Sequence, residues 1–184
     1  MPVITIGGPP GAGTTTIAKA LAEHFSLRYI STGDIFRKIA KDRGISLNEL
    51  NKTAEREVDE LVDKRSREEG LAGDVVIDGD IAAWINPDAE FKFYFTASLE
   101  TRAKRIFGDS KIRLAEERQT FENVERNIEK RLEDDKRRYM EYYSINLDDM
   151  SIYGLVIDTE TLSVEDVIKT AIDYIEGKGV DNDD

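Results

Sequence analysis

Short apolar runs alternate along this chain with longer segments in which apolar residues recur at helical spacing. Five runs rich in β-branched or aromatic residues predict strands: 3–6, 27–30, 75–77, 91–95 and 155–157. The helical spacing of apolar residues predicts a helix from Thr14 to about Phe25. Strands that alternate with helices predict an α/β protein, with three α/β/α layers and a central parallel sheet of five strands. The almost wholly apolar runs 75–77 and 155–157 are expected at the centre of that sheet, where both faces are buried.

The segments between these runs are much more polar in two places. Residues 46–69 carry few apolar positions, and Ser46 with Glu49 three residues later is typical of a helix start. This segment is predicted to be a small helical insert over a cleft. A second charged, mostly helical stretch follows the break at 108–110 and continues to about Tyr143, and the acidic tail 177–184 is expected to be disordered.

Composition narrows the classes of function. The chain has 184 residues, of which 35% are charged, with a formal net charge of −12 and no cysteine. The length fits one domain, the lack of cysteine excludes disulfides and thiolate chemistry, and the negative charge argues against a broad nucleic-acid surface. No signal segment or long apolar run is present, so we expect a cytoplasmic protein without membrane contact. The single histidine, His24, has no partner motif and is expected at the surface.

The chemistry of the chain centres on the glycine-rich turn after the first strand. From Gly8 it reads G-x-x-x-x-G-T-T, where a phosphate-binding loop reads G-x-x-x-x-G-K-[ST]. Backbone amides and the positive end of the next helix are suited to a phosphate, and Thr15 occupies the position whose hydroxyl binds Mg²⁺. Thr14 stands where the lysine belongs, so the charge must come from elsewhere. The alternative is a strand–helix turn without a ligand.

Two further stretches lie at the ends of predicted strands. Arg37 follows Ser31-Thr32-Gly33-Asp34 by one helical turn, where a guanidinium can hold a monophosphate. Thr32 and Asp34 are placed to orient a base or a sugar. Asp78, in Asp78-Gly79-Asp80, is placed to hold Mg²⁺ directly or through water. The alternatives are an ordinary helix cap with a solvated arginine, and a strand-ending turn.

Four arginines, at positions 126, 131, 137 and 138, lie on the long charged segment. Arg131 and Arg138 are seven residues apart, so one helix face carries both. Such a segment is suited to close over phosphates and exclude water. The alternative is a salt-bridged, solvated helix.

Together these residues resemble the nucleoside monophosphate kinases, and among them the short archaeal cytidylate kinases. The likeness covers nearly the whole chain. Its motifs are residues 4–16, residues 31–37, Asn86-Pro-Asp-Ala89, Arg131…Asp135…Arg138-Tyr139 and residues 151–159. Threonine at the lysine position is similar to a variant of the archaeal members, so Thr14 is not interpreted as inactivation.

The resemblance implies a P-loop NTPase fold with a core (about 1–40, 74–105 and 150–176), a monophosphate-binding insert (about 41–73) and a lid with flanking helices (about 106–145). It implies that the acceptor monophosphate is bound by Thr32, Asp34, Arg37, Asp59, Arg65, Asp80 and Asp135. It implies that ATP is bound by Gly8, Pro9, Pro10, Gly11, Ala12, Gly13, Thr14, Thr15, Thr16 and Arg105. Arg37 matches the family's acceptor-phosphate arginine, and Asp135 a residue that contacts the acceptor ribose. The family usually carries an arginine after Asp78-Gly79. Here either Asp80 takes that position or the chain is one residue shorter.

The reaction implied by the resemblance is transfer of the ATP γ-phosphoryl group to CMP or dCMP by a monomeric, Mg²⁺-dependent enzyme. Arg131, Arg138 and Asp78 are the expected catalytic residues, with Mg²⁺ on Thr15 and, through water, on Asp78. Other acceptors stay open, because Ser31-Thr-Gly-Asp…Arg37 is also what adenylate kinases carry. AMP, UMP, shikimate or a nucleoside are such acceptors. A nucleotide-binding regulator that lost catalysis with the lysine is a further alternative.

Overall fold

The computed structural model describes residues 2–45, 50, 56–108 and 120–177. Its strands are β1 Val3–Gly7, β2 Arg28–Ser31, β3 Val75–Asp78, β4 Phe91–Thr96 and β5 Leu155–Asp158. Its α-helices are α1 Thr14–His24, α2 Thr32–Asp42, α3 Arg56–Ala72, α4 Ala82–Ile85, α5 Leu99–Gly108, α6 Phe121–Tyr143 and α7 Val164–Ile175, with a 3₁₀ turn at Met150–Ile152. The predicted helix start at Ser46, the break at 109–110 and the tail 178–184 lie outside the described residues.

The five strands form one parallel sheet in the order β2-β3-β1-β4-β5. This confirms the predicted α/β fold with a five-stranded parallel sheet. The expected central position of residues 155–157 is wrong, because β5 is an edge strand. Leu155 and Ile157 pack towards the core while Val156 between them is 46% exposed. An edge strand of this sheet needs only every second residue to be apolar, so a run of three apolar residues does not distinguish edge from centre.

Helices cover both faces of the sheet, as predicted. Ile4 and Ile6 of β1 contribute to a core cluster with α1 and α7 that also contains Phe93 and Phe95. Val3 belongs to a cluster on the other face with Val75, Ile77 and Ala82. Alternate side chains of a strand point to opposite faces, which accounts for this division. Because all the strand pairs are parallel, every strand ends at the same edge of the sheet. The turns that follow β1, β2 and β3 meet at that edge.

Helix α3 belongs to two environments. Near its start, Val58 packs with Leu50 and Ala40 in a small cluster separate from the main core. Near its end, Asn86 donates a hydrogen bond to Ser66 Oγ at 3.1 Å and another to the carbonyl of Ala82 at 3.0 Å. A Cβ on Gly70 would lie 2.0 Å from Asn86 Oδ1, so only glycine permits this approach. The second half of α3 is thus fixed to the core.

Helix α6 is attached to the core at both ends. Val124 and Ile128 pack with Ala103 of α5. Tyr139 packs with Ile145 after the helix and with Ile81 before α4. The middle of α6 lies over the carboxyl edge of the sheet, where its side chains face the turns after β1 and β3. None of the helices in the described ranges has the length and apolar character required to cross a membrane.

We expect Phe93→Ala to lower the free energy of unfolding by about 3–5 kcal/mol, because the Phe93 side chain is fully buried between the sheet and two helices. Urea unfolding followed by circular dichroism measures this change. Leu71→Ala is the matched control, because Leu71 is 69% exposed, and it should change stability by less than about 0.5 kcal/mol. Similar losses in the two variants would contradict the assignment of the core.

Candidate functional site

The turn between β1 and α1 has the form of a phosphate-binding loop. Gly11 and Gly13 have φ angles of 87° and 92°, which favour glycine. A Cβ on Gly11 would also lie 2.7 Å from the carbonyl oxygen of Arg102. The chain then enters α1 at Thr14, so the positive end of that helix points towards the turn. The backbone geometry needed for an anion is present without the lysine.

A buried carboxylate lies directly beside this loop. Thr15 Oγ1 donates a hydrogen bond to Asp78 Oδ2 at 2.7 Å, and the Tyr29 hydroxyl donates to the same oxygen at 3.3 Å. Burial raises the pKa of Asp78, while hydrogen bonds from Thr15 and Thr14 oppose that rise. A hydroxyl and a carboxylate in contact fit a hard cation that prefers oxygen ligands. Thr15 and Asp78 are therefore the residues suited to hold Mg²⁺.

The turn after β3 meets the start of α2. Ser31 caps α2 by accepting a hydrogen bond from the Asp34 amide at 3.2 Å. Thr32 Oγ1 donates to the carbonyl of Asp78 at 3.3 Å, and a Cβ on Gly79 would lie 2.3 Å from that same hydroxyl. Glycine at position 79 lets Thr32 approach β3 closely. This contact brings the start of α2 beside the phosphate loop.

Arg37 lies one turn into α2 and faces the cavity between these turns. Its guanidinium donates two hydrogen bonds to Asp34 Oδ1, at 2.6 and 3.2 Å. Its side chain is 57% exposed. An exposed pair of this kind is weak, so Arg37 is available to an anion that enters the cavity.

Helix α6 contributes two arginines and an aspartate to the same cavity. Arg138 Nη2 lies 2.9 Å from Asp135 Oδ1, and Arg138 Nε lies 3.5 Å from Asp59 Oδ2 on α3. Arg131 Nε lies 3.6 Å from Asp135 Oδ2. Arg138 is largely buried and Arg131 is exposed. The pair Arg138–Asp59 connects the helix of the expected lid to the helix of the expected insert.

Carboxylates crowd this end of the cavity. Burial, with a smaller contribution from Asp80, raises the pKa of Asp135 to about 6, although Arg138 and Arg131 oppose the rise. Burial also raises the pKa of Asp63 to about 6 against the effect of a hydrogen bond from Tyr143. Asp63 was not identified from the sequence. It lies four residues after Asp59 on one helix face, which was the available signal.

A second cavity, of about 460 Å³, lies on the other side of the phosphate loop. Arg105 of α5 donates to Thr159 Oγ1 at 2.9 Å and to the carbonyl of Thr159 at 2.7 Å. Leu162 and Val164, after β5, form an apolar wall. The planar guanidinium of Arg105 and these apolar side chains thus lie next to the phosphate loop. Thr159 and Leu162 were not among the residues identified from the sequence, because only the fold brings them to the loop.

The first cavity, of about 270 Å³, brings together most of the predicted residues. Its lining includes Gly8, Pro10, Gly11, Thr14, Thr15, Thr32, Arg37, Asp59, Asp78, Asp80, Arg131, Asp135 and Arg138. The second cavity contains Ala12, Gly13, Thr16 and Arg105. Three predicted residues line neither cavity: Pro9, Asp34 and Arg65. Arg65 pairs instead with Glu69 at 2.6 Å, on α3 itself.

The raised pKa of Asp63 predicts that this carboxyl group destabilises the fold when it is ionised. Between about pH 4 and pH 6 the native state binds its proton more tightly than the unfolded state, so stability falls as the pH rises. We therefore expect Asp63→Asn to be more stable than the wild type at pH 8, by about 1–3 kcal/mol, and about equally stable at pH 4. Urea unfolding at both pH values measures the difference.

The matched control for this prediction is Glu57→Gln, on the exposed side of the same helix. It should change stability by less than about 0.5 kcal/mol at either pH. An equal effect of Asp63→Asn at pH 4 and pH 8 would disprove the link between burial of this carboxyl group and stability.

Comparison with known proteins gives a consistent result. A family model described as the cytidylate kinase-like family matches residues 3–161. The cytidylate kinase of Staphylothermus marinus is 47% identical over 179 residues, which cover 96% of this chain and 97% of the relative. The cytidylate kinase of Methanocaldococcus jannaschii is 42% identical over 189 residues, which cover 94% of this chain and 98% of the relative.

Solved structures support the fold. An uncharacterized protein from Eubacterium ventriosum aligns with a TM-score of 0.71 at 20% identity and covers 96% of this chain and 99% of its own. Shikimate kinase from Bacteroides thetaiotaomicron aligns with a TM-score of 0.65 at 17% identity and covers 96% of this chain and 97% of its own. At these identities the likeness concerns architecture alone. By its sequence, this chain belongs to the cytidylate kinase-like family, as its motifs predicted.

Proposed function

We propose that this chain is an ATP-dependent nucleoside monophosphate kinase that transfers the γ-phosphoryl group of ATP to CMP or dCMP. The observation that carries the proposal is a single cavity lined by the phosphate loop and by Arg37, Arg131 and Arg138. Phosphoryl transfer needs a donor cradle, an acceptor clamp and positive charge between them. The similarity to two archaeal cytidylate kinases over nearly their whole length supports CMP as the acceptor.

The phosphate loop is the proposed site of the donor phosphates. Backbone amides and the start of α1 bind the anion there. Mg²⁺ held by Thr15 and Asp78, the latter through water, would neutralise charge on those phosphates. The second cavity, with Arg105 on one side and Leu162 on the other, is suited to the adenine ring.

The acceptor is proposed to lie at the α2–α3 end of the first cavity. Arg37 would exchange Asp34 for the acceptor phosphate, because a dianion binds a guanidinium more strongly than one exposed carboxylate does. Asp135 and Asp80 are suited to the ribose, and Asp59 faces the space left for the base. Arg65 does not line this cavity, so the acceptor-binding role implied for it has less support than that of Asp59.

The chemical step needs little covalent help from the chain. The acceptor phosphate oxygen is a nucleophile at neutral pH, so no general base is required. Arg131 and Arg138 would stabilise the charge that spreads over the transferred group. A helix that covers the cavity also keeps water from accepting the phosphoryl group. The enzyme is proposed to act as a monomer in the cytoplasm, because one chain supplies all these residues and its nucleotide substrates occur there.

The direct test of the proposal is an ADP-release assay with ATP and a panel of CMP, dCMP, UMP, AMP and shikimate. We expect CMP and dCMP to give the highest kcat/KM, and EDTA to abolish turnover because Mg²⁺ is required. Preference for AMP, UMP or shikimate would reject CMP as the acceptor and leave the kinase proposal intact. If no acceptor stimulates ADP release, the kinase proposal fails and the nucleotide-binding regulator remains.

Arg37→Ala should raise the KM for CMP by about 30–100-fold, because a charge-assisted contact to the acceptor phosphate is lost. The KM for ATP should stay within about twofold of the wild-type value, since Arg37 does not line the second cavity. Steady-state kinetics with each substrate varied in turn measure both constants. Arg67→Ala is the control, because Arg67 pairs with Asp88 at 2.6 Å outside the cavity. Equal losses for CMP and ATP would reject the acceptor role of Arg37.

A further inference from the structure

The phosphate loop needs positive charge that Thr14 does not supply, and the arginines in front of it already have partners. Arg37, Arg131 and Arg138 each have an aspartate oxygen within 4.0 Å. Their charges are compensated before any phosphate arrives. Arg105 contacts the carbonyl of Gly11 at 3.4 Å, but its side chain is exposed, so water screens its charge. A buried positive charge behind the loop would act on it more strongly.

Arg102 lies behind the loop. It is on α5 and only 7% exposed. Its Nη1 donates to the carbonyl oxygen of Pro10 at 3.3 Å, and its Nε donates to the carbonyl oxygen of Ala97 at 3.1 Å. Its backbone and Cβ also lie against Gly11, where an added Cβ would come within 2.7 to 3.0 Å of them. One side chain thus touches the loop and the end of β4 together.

The charge of Arg102 has no close carboxylate partner among residues 2–45, 50, 56–108 and 120–177. Tyr94 and Glu129 act on it from farther away. Other arginines of the described chain, such as Arg28 and Arg67, have a carboxylate at close range. A buried charge without a close counterion acts over a longer distance than an exposed one, because less water screens it.

The peptide bond between Pro10 and Gly11 carries this charge to the front of the loop. The peptide bonds of the described chain are trans, so its carbonyl and its N–H point in opposite directions. The carbonyl accepts from Arg102, and the Gly11 N–H consequently faces away from that side chain. Gly11 lines both cavities. A donor on the carbonyl polarises the peptide and makes its N–H a stronger donor.

We propose that Arg102 is a positioning residue that replaces the missing loop lysine from behind, by fixing and polarising the Pro10–Gly11 peptide that binds the donor phosphates. The proposal rests on the proposed function, because it assigns a donor phosphate to this loop. This role would explain how the loop can bind phosphates with Thr14 at the lysine position, because Arg102 supplies positive potential from behind the loop. It also predicts an energetic coupling between positions 14 and 102, which a purely structural role of Arg102 would not produce.

The test is a double-variant cycle read by isothermal titration calorimetry with ADP in excess Mg²⁺, and separately with CMP. Arg102→Met should weaken ADP binding by about tenfold or more and leave CMP binding within about twofold. Thr14→Lys should strengthen ADP binding by a factor about five times larger in the Arg102→Met background than in the wild type. Arg67→Met is the matched control and should leave both affinities unchanged, because Arg67 contacts Asp88 away from the cavities.

Two results would overturn the proposal. One is an equal effect of Thr14→Lys in both backgrounds, and the other is an equal loss of ADP and CMP binding in Arg102→Met. Where thermal unfolding shows that Arg102→Met does not fold, Arg102→Lys and Arg102→Gln decide. Arg102→Lys keeps the positive charge, whereas Arg102→Gln keeps only a hydrogen-bond donor. The Arg102→Lys variant must therefore bind ADP about tenfold more tightly than the Arg102→Gln variant. Equal affinities of the two variants overturn the proposal. Calorimetry with ADP needs no acceptor. A wrong acceptor would therefore appear in the turnover panel and as absent CMP binding by the wild type, while the ADP titrations would still test Arg102.

Discussion

The parallel pairing of β1 with β3 is the constraint on which the rest of the site depends. Ile6 lies opposite Asp78 in this pair, so the chain leaves β1 as a phosphate loop beside the place where β3 ends in a carboxylate. The hydrogen bond from Thr15 to Asp78 then closes the gap between α1 and β3. A shift of one residue in the register would turn Asp78 to the other face of the sheet and remove that contact.

The second constraint on the site is the balance of charge among its arginines and aspartates. The chain carries a net charge of −12, yet its proposed ligands are anions. In the first cavity, Arg37, Arg131 and Arg138 each have an aspartate partner. These partners reduce the repulsion among the arginines before the substrates bind. In the proposed complex, a phosphate would replace the aspartate as the partner of each of these arginines. Such an exchange costs less than leaving a buried guanidinium without a partner would.

Much of the fold and part of the site could be predicted from the sequence. Local features could be predicted, because neighbouring residues in the sequence determine them. They include the strand runs, the glycine pattern of the loop and the motif around Arg37. The position of β5 at the sheet edge could not be read, because Leu155 and Ile157 look alike at an edge and at a centre. Asp63, Arg102 and Thr159 were missed for a related reason. Their importance comes from burial and from neighbours 63 to 147 positions away, which no short pattern records.

The same reasoning explains the limits of the resemblance. It implied an acceptor contact for Arg65, but a helix presents residues to several sides, and Arg65 pairs with Glu69 and does not line the cavity. Asp59 on the same helix faces Arg138. A motif aligned along the chain fixes which helix approaches the ligand, whereas the rotation of that helix decides which side chains do so.

The close contact between Gly70 and Asn86 fixes the position of α3 near its C-terminal end. Glycine inside a helix costs about 1 kcal/mol relative to alanine, and here the cost accompanies a backbone approach that no other residue permits. From that point to Asp59 the helix extends about 16 Å, at about 1.5 Å per residue. A tilt of about 10° at this contact would therefore displace Asp59 by about 3 Å, while Ser66 would move only about 1 Å. Such a tilt would separate Asp59 from Arg138 and leave the contacts of α3 near Ser66 almost unchanged.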